Sequence, residues 1–177
     1  MKSSVLRTRV IKRVRAGSNR NVVIPAQTFK TLTLDTASLG AMIYPTKTAL
    51  ILLYELAEWQ KVNVSAFLTG GLMHGYPEMA GEPYKDNDDN FYLAMIREPV
   101  FVYGADSQTI RRTFERARSR GMAFSIYTRP LFATSNDADN RASVAATPAA
   151  ELDIVGLGLH GERKLVDKIV NGLKFLA

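Results

Sequence analysis

Trp59, Gln60 and Lys61 are the residues best placed to do chemistry, because they stand where an apolar run gives way to a helical pattern. A lysine in the first turn of a helix lies beside amide groups that already carry positive partial charge. That placement is electrostatically disfavoured by roughly 0.3–1 kcal/mol. Two readings follow from it. Either the ammonium swings away into water, or it works with the amides to hold an anion or handle a proton. Loops leaving the carboxyl ends of strands are where open α/β sheets hold ligands, which makes this junction the candidate site.

Apolar spacing identifies the elements that must position it. Residues 48–54 (Thr-Ala-Leu-Ile-Leu-Leu-Tyr) are almost continuously apolar, which fits a strand buried on both faces. After the acidic Glu55 and Glu58, apolar residues recur at Val62, Val64, Ala66, Phe67, Leu68, Leu72 and Met73, the pattern of a helix lying on a sheet. Ala66, Gly70 and Gly71 are expected to let this helix approach closely, and Gly75 to end it. Further strands are predicted over 99–103, 122–128 and 152–159, the last with Gly156 and Gly158 admitting close approach of backbone or ligand. Helices are predicted over 109–120, capped by Asp106 or Ser107, and over 162–173, with a shorter one over 140–146. Residues 82–84 and 91–95 read as a small hairpin around the turn Asp86-Asn87-Asp88-Asp89-Asn90. Strands alternating with helices predict a three-layer α/β domain with mainly parallel pairing.

Several chemistries are excluded or unsupported. The sequence contains no cysteine, which removes disulfides and thiolate catalysis. Its two histidines, His74 and His160, lack ligand spacing, so no metal site is expected. A calcium loop starting at Asp86 would need Gly and Glu where Phe91 and Arg97 stand, which leaves a solvated turn. The run from Gly156 to Gly161 is not a dinucleotide fingerprint, and no serine lies in a nucleophile elbow. His160 reads as a histidine without a chemical task just ahead of the last helix. The five arginines of 109–120 read as that helix's wet side. No apolar run approaches the ~20 residues that span a membrane. The expectation is a cytoplasmic protein that needs no cofactor.

The net charge of +6 is unevenly divided. Residues 1–45 carry eight basic side chains and one acid, for +7, and the remainder totals −1. The division predicts a basic amino-terminal extension over 1–45 and a compact domain over 46–177. Four readings of the extension stay open: a poorly ordered tail, an arm contacting nucleic acid or anionic lipid, a targeting peptide, or a translation start at Met42.

Trp59-Gln60-Lys61-Val62-Asn63-Val64-Ser65-Ala66-Phe67-Leu68, with Gly81-Glu82-Pro83-Tyr84, Leu131-Phe132-Ala133-Thr134 and Asn140-Arg141, resembles the bacterial domain-of-unknown-function family two thousand. That family is grouped by fold with the type II peptidyl-tRNA hydrolases, and the resemblance covers about residues 46–177. Val166-Asp167-Lys168-Ile169 and Gly172-Leu173-Lys174-Phe175 are similar to the last helix and strand-like tail of those hydrolases. The resemblance implies a three-layer α/β/α fold with a mixed four-stranded sheet, often dimeric, and a site at the first strand-to-helix junction. It matches the hydrolases' lysine to Lys61, the one residue marked as catalytic. It departs from them at Gln60 and Ser65, which replace a glycine and a glutamine. The aspartate expected after the third strand falls near Thr128 or Arg129. On the hydrolase reading Lys61 would stabilise the oxyanion as the peptide ester to tRNA is cleaved, helped by Asn63 and Thr128. On the competing reading Trp59, Gln60, Lys61 and Asn63 hold a small anionic or peptide-like ligand without that chemistry. A non-catalytic interaction protein is the third.

Overall fold

The computed structural model describes residues 44–176. The expected amino-terminal extension, its nucleic-acid contact and the alternative start at Met42 lie outside those residues. A central strand, β1 (Thr46–Leu53), is buried along nearly its whole length, as its unbroken apolar run requires. It is followed by α1 (Glu58–Gly75), a short 3-10 turn (Pro77–Met79) and a two-residue hairpin, β2 (Tyr84–Lys85) and β3 (Phe91–Tyr92). Then come β4 (Val100–Ala105), α2 (Ser107–Ser119), β5 (Phe124–Thr128), a 3-10 turn (Arg129–Ala133) and α3 (Asp137–Ala145). The chain ends with β6 (Ile154–Glu162), α4 (Arg163–Val170) and β7 (Lys174–Phe175).

The sheet has five strands in the order β5-β6-β1-β4-β7, not four. The fifth is the tail itself, which pairs with β4 through Tyr103 opposite Phe175 and Gly104 opposite Lys174. Nor is pairing mainly parallel. Only β1 and β4 are parallel, with Thr48 opposite Val100, while β6 runs antiparallel to both β1 and β5. The physical reason lies in the long segment after β5. It starts and finishes at one edge of the sheet, with Thr128 opposite Ile154, so no crossover returns the chain before β6 begins.

Two adjacent residues of β5 define the layers. The Phe124 ring meets Phe114 of α2 edge-on, with centroids 5.6 Å apart, while the Ser125 hydroxyl donates to the Leu68 carbonyl of α1 at 3.0 Å. Neighbouring strand residues point to opposite faces, so α1 covers one face and α2 the other. Val64, Leu68 and Leu72 of α1 are buried on its face, each contributing roughly 1.5–3 kcal/mol. The strand's glycines admit the helix. A Cβ on Gly156 would collide with Val64, and one on Gly158 would stand 3.2 Å from the Leu68 Cβ. Of the helix's own small residues Gly71 lies against the sheet, where an added Cβ would stand 3.3 Å from the Ser125 Cβ, whereas Ala66 and Gly70 are exposed.

Three sequence expectations change here. The strand predicted to stop at Leu159 continues to Glu162, so His160 lies inside β6. The short helix starts earlier than predicted because Asn136 caps it, accepting from the Asp139 amide at 2.9 Å. The arginines of α2 are not all solvated: Arg111 donates to the carbonyls of Ala149 and Leu152, and Arg116 to those of Ile169 and Asn171. Asp86 organises its turn, accepting from the amides of Asp88 and Asn90, from the Asn90 side chain and from the Tyr92 hydroxyl. The Asn90 bonds, first among these, pull its carboxyl down to about 2. Among the described residues no helix is long and apolar enough to cross a membrane.

Candidate ligand site at the tip of α1

The carboxyl ends of β1, β4 and β5 share one edge of the sheet, and α1 starts there. Its N-cap is Ala57, which has no side-chain acceptor to offer. The first helical bond runs from the Lys61 amide to the Ala57 carbonyl at 3.0 Å. No side chain therefore caps the amides of Glu58, Trp59 and Gln60, an omission that costs about 1 kcal/mol against a serine or aspartate. The Gln60 side chain folds back to accept from the Ala57 amide at 3.0 Å, so it serves the helix itself. Glu58 is exposed and adds one carboxylate to the first turn, the sign that the helix dipole favours.

Lys61 lies three residues before Val64, on the stripe that packs against the sheet. Val64 already rests on Gly156 near the start of β6, so Lys61, one turn earlier, leaves over the sheet's edge. It is half-buried, and its ammonium has no hydrogen bond or ion pair among the described residues. Arg129 on the same edge is the opposite case. Its Nη2 donates to Glu55 Oε1 at 2.6 Å and its Nε to Asp153 Oδ2 at 2.7 Å, contacts that hold its pKa above the usual arginine value. Glu55 and Asp153 are thus engaged by Arg129, one of the two positions where the resemblance leads one to expect an aspartate.

Trp59 lies two positions from Lys61, roughly 200° around the helix, and so belongs to the other flank. There the Trp59 ring meets Phe132 edge-on at 5.9 Å, Phe132 meets Tyr127 at 5.0 Å, and Tyr127 meets Phe67 at 5.7 Å. Asn63 sits midway between Trp59 and Phe67, one turn from each, and its Nδ2 reaches the Tyr127 hydroxyl at 3.4 Å. Burial pushes the Tyr127 phenol above its ordinary value, partly offset by the Asn63 bond. Trp59 and Phe67 remain 63 % and 57 % exposed. Thr128 follows Tyr127 but is 2 % exposed and stands outside this array. Of the predicted residues the fold therefore joins Trp59 to Asn63, sets Lys61 on the far flank of the same tip, turns Gln60 inward and buries Thr128.

Phe67, Tyr127, Phe132 and the Arg129 bridge were not singled out from sequence. The i, i+4, i+8 spacing of Trp59, Asn63 and Phe67 is a usable signal, but the apolar stripe places Phe67 on the packed face, whereas it is 57 % exposed. A second polar group was missed at the other end of β1. There Thr46 and Thr48 donate to Glu98 at 2.9 and 3.1 Å, and Thr48 shares a 2.8 Å bond with His160 Nδ1. Glu98 and His160 side chains are each 2 % exposed, and His160 Nε2 has no partner. Beside them Lys47 donates to Asp167 at 2.7 Å and Tyr103 at 2.9 Å. Burial pulls its pKa down, but those two bonds outweigh it and the net displacement is upward.

Comparison with known proteins agrees in extent with the described fold. The family model described as "Protein of unknown function (DUF2000)" matches residues 46–177. A solved structure of a protein of unknown function, Atu0240 from Agrobacterium tumefaciens strain C58, is similar with 38 % identity and a TM-score of 0.74. The likeness covers 76 % of this chain and 100 % of that one. No curated protein matches.

Proposed function

The chain belongs to the DUF2000 family, whose function is unknown, and from that premise we propose that it binds a small anionic ligand at the tip of α1. Lys61 supplies the charge and the uncapped amides of Glu58, Trp59 and Gln60 supply directed donors. One observation carries this reading. A half-buried lysine whose ammonium has no partner among the described residues stands in the first turn of an 18-residue helix whose N-cap offers no acceptor. An anion seated there would satisfy both, and helix N-termini bind anions through this combination of dipole and free amides.

Hydrolysis of peptidyl-tRNA, which the resemblance implies, would ask for a group to polarise water or orient the lysine. No carboxylate oxygen lies within ion-pair distance of Lys61 among the described residues, and Arg129 engages Glu55 and Asp153. Binding is therefore favoured over ester cleavage. Thermal melting in inorganic phosphate against chloride at matched ionic strength tests the proposal. Wild type should gain stability in proportion to the logarithm of phosphate concentration above Kd, by about 2.7 kcal/mol at a hundredfold excess. Lys61→Ala should lose most of that gain. An equal gain in the variant would place the phosphate elsewhere and refute the reading.

A further inference from the structure

The flank of α1 opposite Lys61 carries a second kind of chemistry. Trp59, Phe132, Tyr127 and Phe67 form a continuous row of rings with successive centroids 5.0–5.9 Å apart, and Asn63 lies inside that row. Asn63 gives the buried Tyr127 hydroxyl its partner and has amide capacity to spare. It spends one N–H on Tyr127 at 3.4 Å, and its Oδ1 and second N–H have no partner among the described residues. Tyr127 is 5 % exposed and accepts that bond, while its own phenolic proton has no acceptor among the described residues. Exposed apolar faces around one unspent donor–acceptor pair are the ingredients by which proteins recognise a flat heterocycle. The ring stacks on an aromatic side chain, and its polar edge pairs with the amide. Asparagine meets the amino group and ring nitrogen of adenine in this bidentate way.

We propose that this aromatic-rimmed asparagine binds the ring of an aminopurine-type ligand, Asn63 reading its donor–acceptor edge and Trp59 or Phe67 stacking on its face. The proposal rests on the anion site in one respect: a ligand bearing both groups would place its acid at the helix tip. Asn63 and the free amides are separated by only three to five residues, roughly 5–8 Å along the axis. First-turn side chains lean toward the helix N-terminus, so Trp59 and Lys61 approach that tip from its two flanks. The ligand class is thus a purine nucleotide or a compound of the same two-part chemistry.

Trp59 is the sole tryptophan of the chain, so its emission reports on this position alone. The experiment is a fluorescence titration of the full chain with adenosine, which carries the ring and no charge. Saturable quenching is expected, weakened tenfold or more by Asn63→Ala and, in wild type, by replacing adenosine with 7-deazaadenosine. Circular dichroism of the variant checks that it remains folded. Absence of a saturable response overturns the proposal, and so does equal affinity for the two nucleosides. The two sites fail separately. An adenosine response that persists in Lys61→Ala, in a protein indifferent to phosphate, sustains the ring site and removes the anion site. Phosphate binding without any adenosine response removes the ring site alone.

Discussion

The two ends of β1 handle polar groups in opposite ways. At its start Thr46, Thr48, Glu98 and His160 form a sealed cluster, and Lys47 is matched by Asp167 and Tyr103. Beyond its end, among the described residues, Lys61 is half-buried without a partner, no side chain caps the first amides of α1, and Asn63 keeps donor and acceptor capacity unspent. Burying a polar group is costly unless it is bonded, and of the sealed end's buried side-chain nitrogens and oxygens only His160 Nε2 lacks a partner among the described residues. The open end can remain incomplete because water reaches it. What distinguishes a structural lysine from a candidate binding lysine here is therefore pairing. Lys47 is the more buried of the two and has its bonds; Lys61 is less buried and has none among the described residues.

Breaking the sealed end should have the largest effect. Glu98→Ala removes the shared acceptor of two threonine hydroxyls and leaves His160 without its acid. A loss of about 3 kcal/mol in urea unfolding is expected. Lys61→Ala should fall within about 0.5 kcal/mol of wild type in the same assay. Comparable losses in the two variants would erase the distinction between the ends.

Next in size is the effect of supplying the missing cap. Ala57→Asp provides an internal acceptor and should raise stability by about 1 kcal/mol, measured by urea unfolding. The same carboxylate occupies the tip, so the stabilisation by phosphate should shrink. A stabilised variant with an undiminished phosphate response would separate the amides from the ligand. Glu58→Gln should act oppositely and more weakly, tightening phosphate binding severalfold as one negative charge leaves the first turn.

A smaller effect concerns pH. Burial lowers the His160 pKa below its usual 6.5, opposed by Glu98 and Glu78 and aided by Arg97. The folded state then binds fewer protons than the unfolded one. Its stabilising contribution is complete above about 6.5 and is lost as pH falls through the depressed folded value. Unfolding midpoints taken between pH 7.5 and 5.5 should decline in wild type and decline less in His160→Gln. Parallel curves would remove His160 from the sealed cluster's energetics.

The sheet-facing parts of the domain were legible because burial writes itself into sequence as unbroken apolar runs or helical stripes. β1, α1, β4 and α2 follow that rule. Pairing direction was not legible, since α3 looks like a crossover helix but begins and ends its connection at one edge. β7 is two exposed residues, too short to produce any pattern. Lys61 could be singled out because one residue's place in a helix follows from local spacing. Whether it has a partner could not be read, because pairing depends on contacts across the fold, as Arg129 with Glu55 and Asp153 illustrates. The cluster of Thr48, Glu98 and His160 joins residues 50 and 112 positions apart, which no local pattern can bring together.

The most direct test of an anion site at the α1 tip is a phosphate titration followed by backbone amide chemical shifts. Saturable displacements should be largest at Glu58, Trp59 and Gln60 and should vanish in Lys61→Ala. Displacements confined to the exposed arginines of α2, with the three tip amides unmoved, would contradict it.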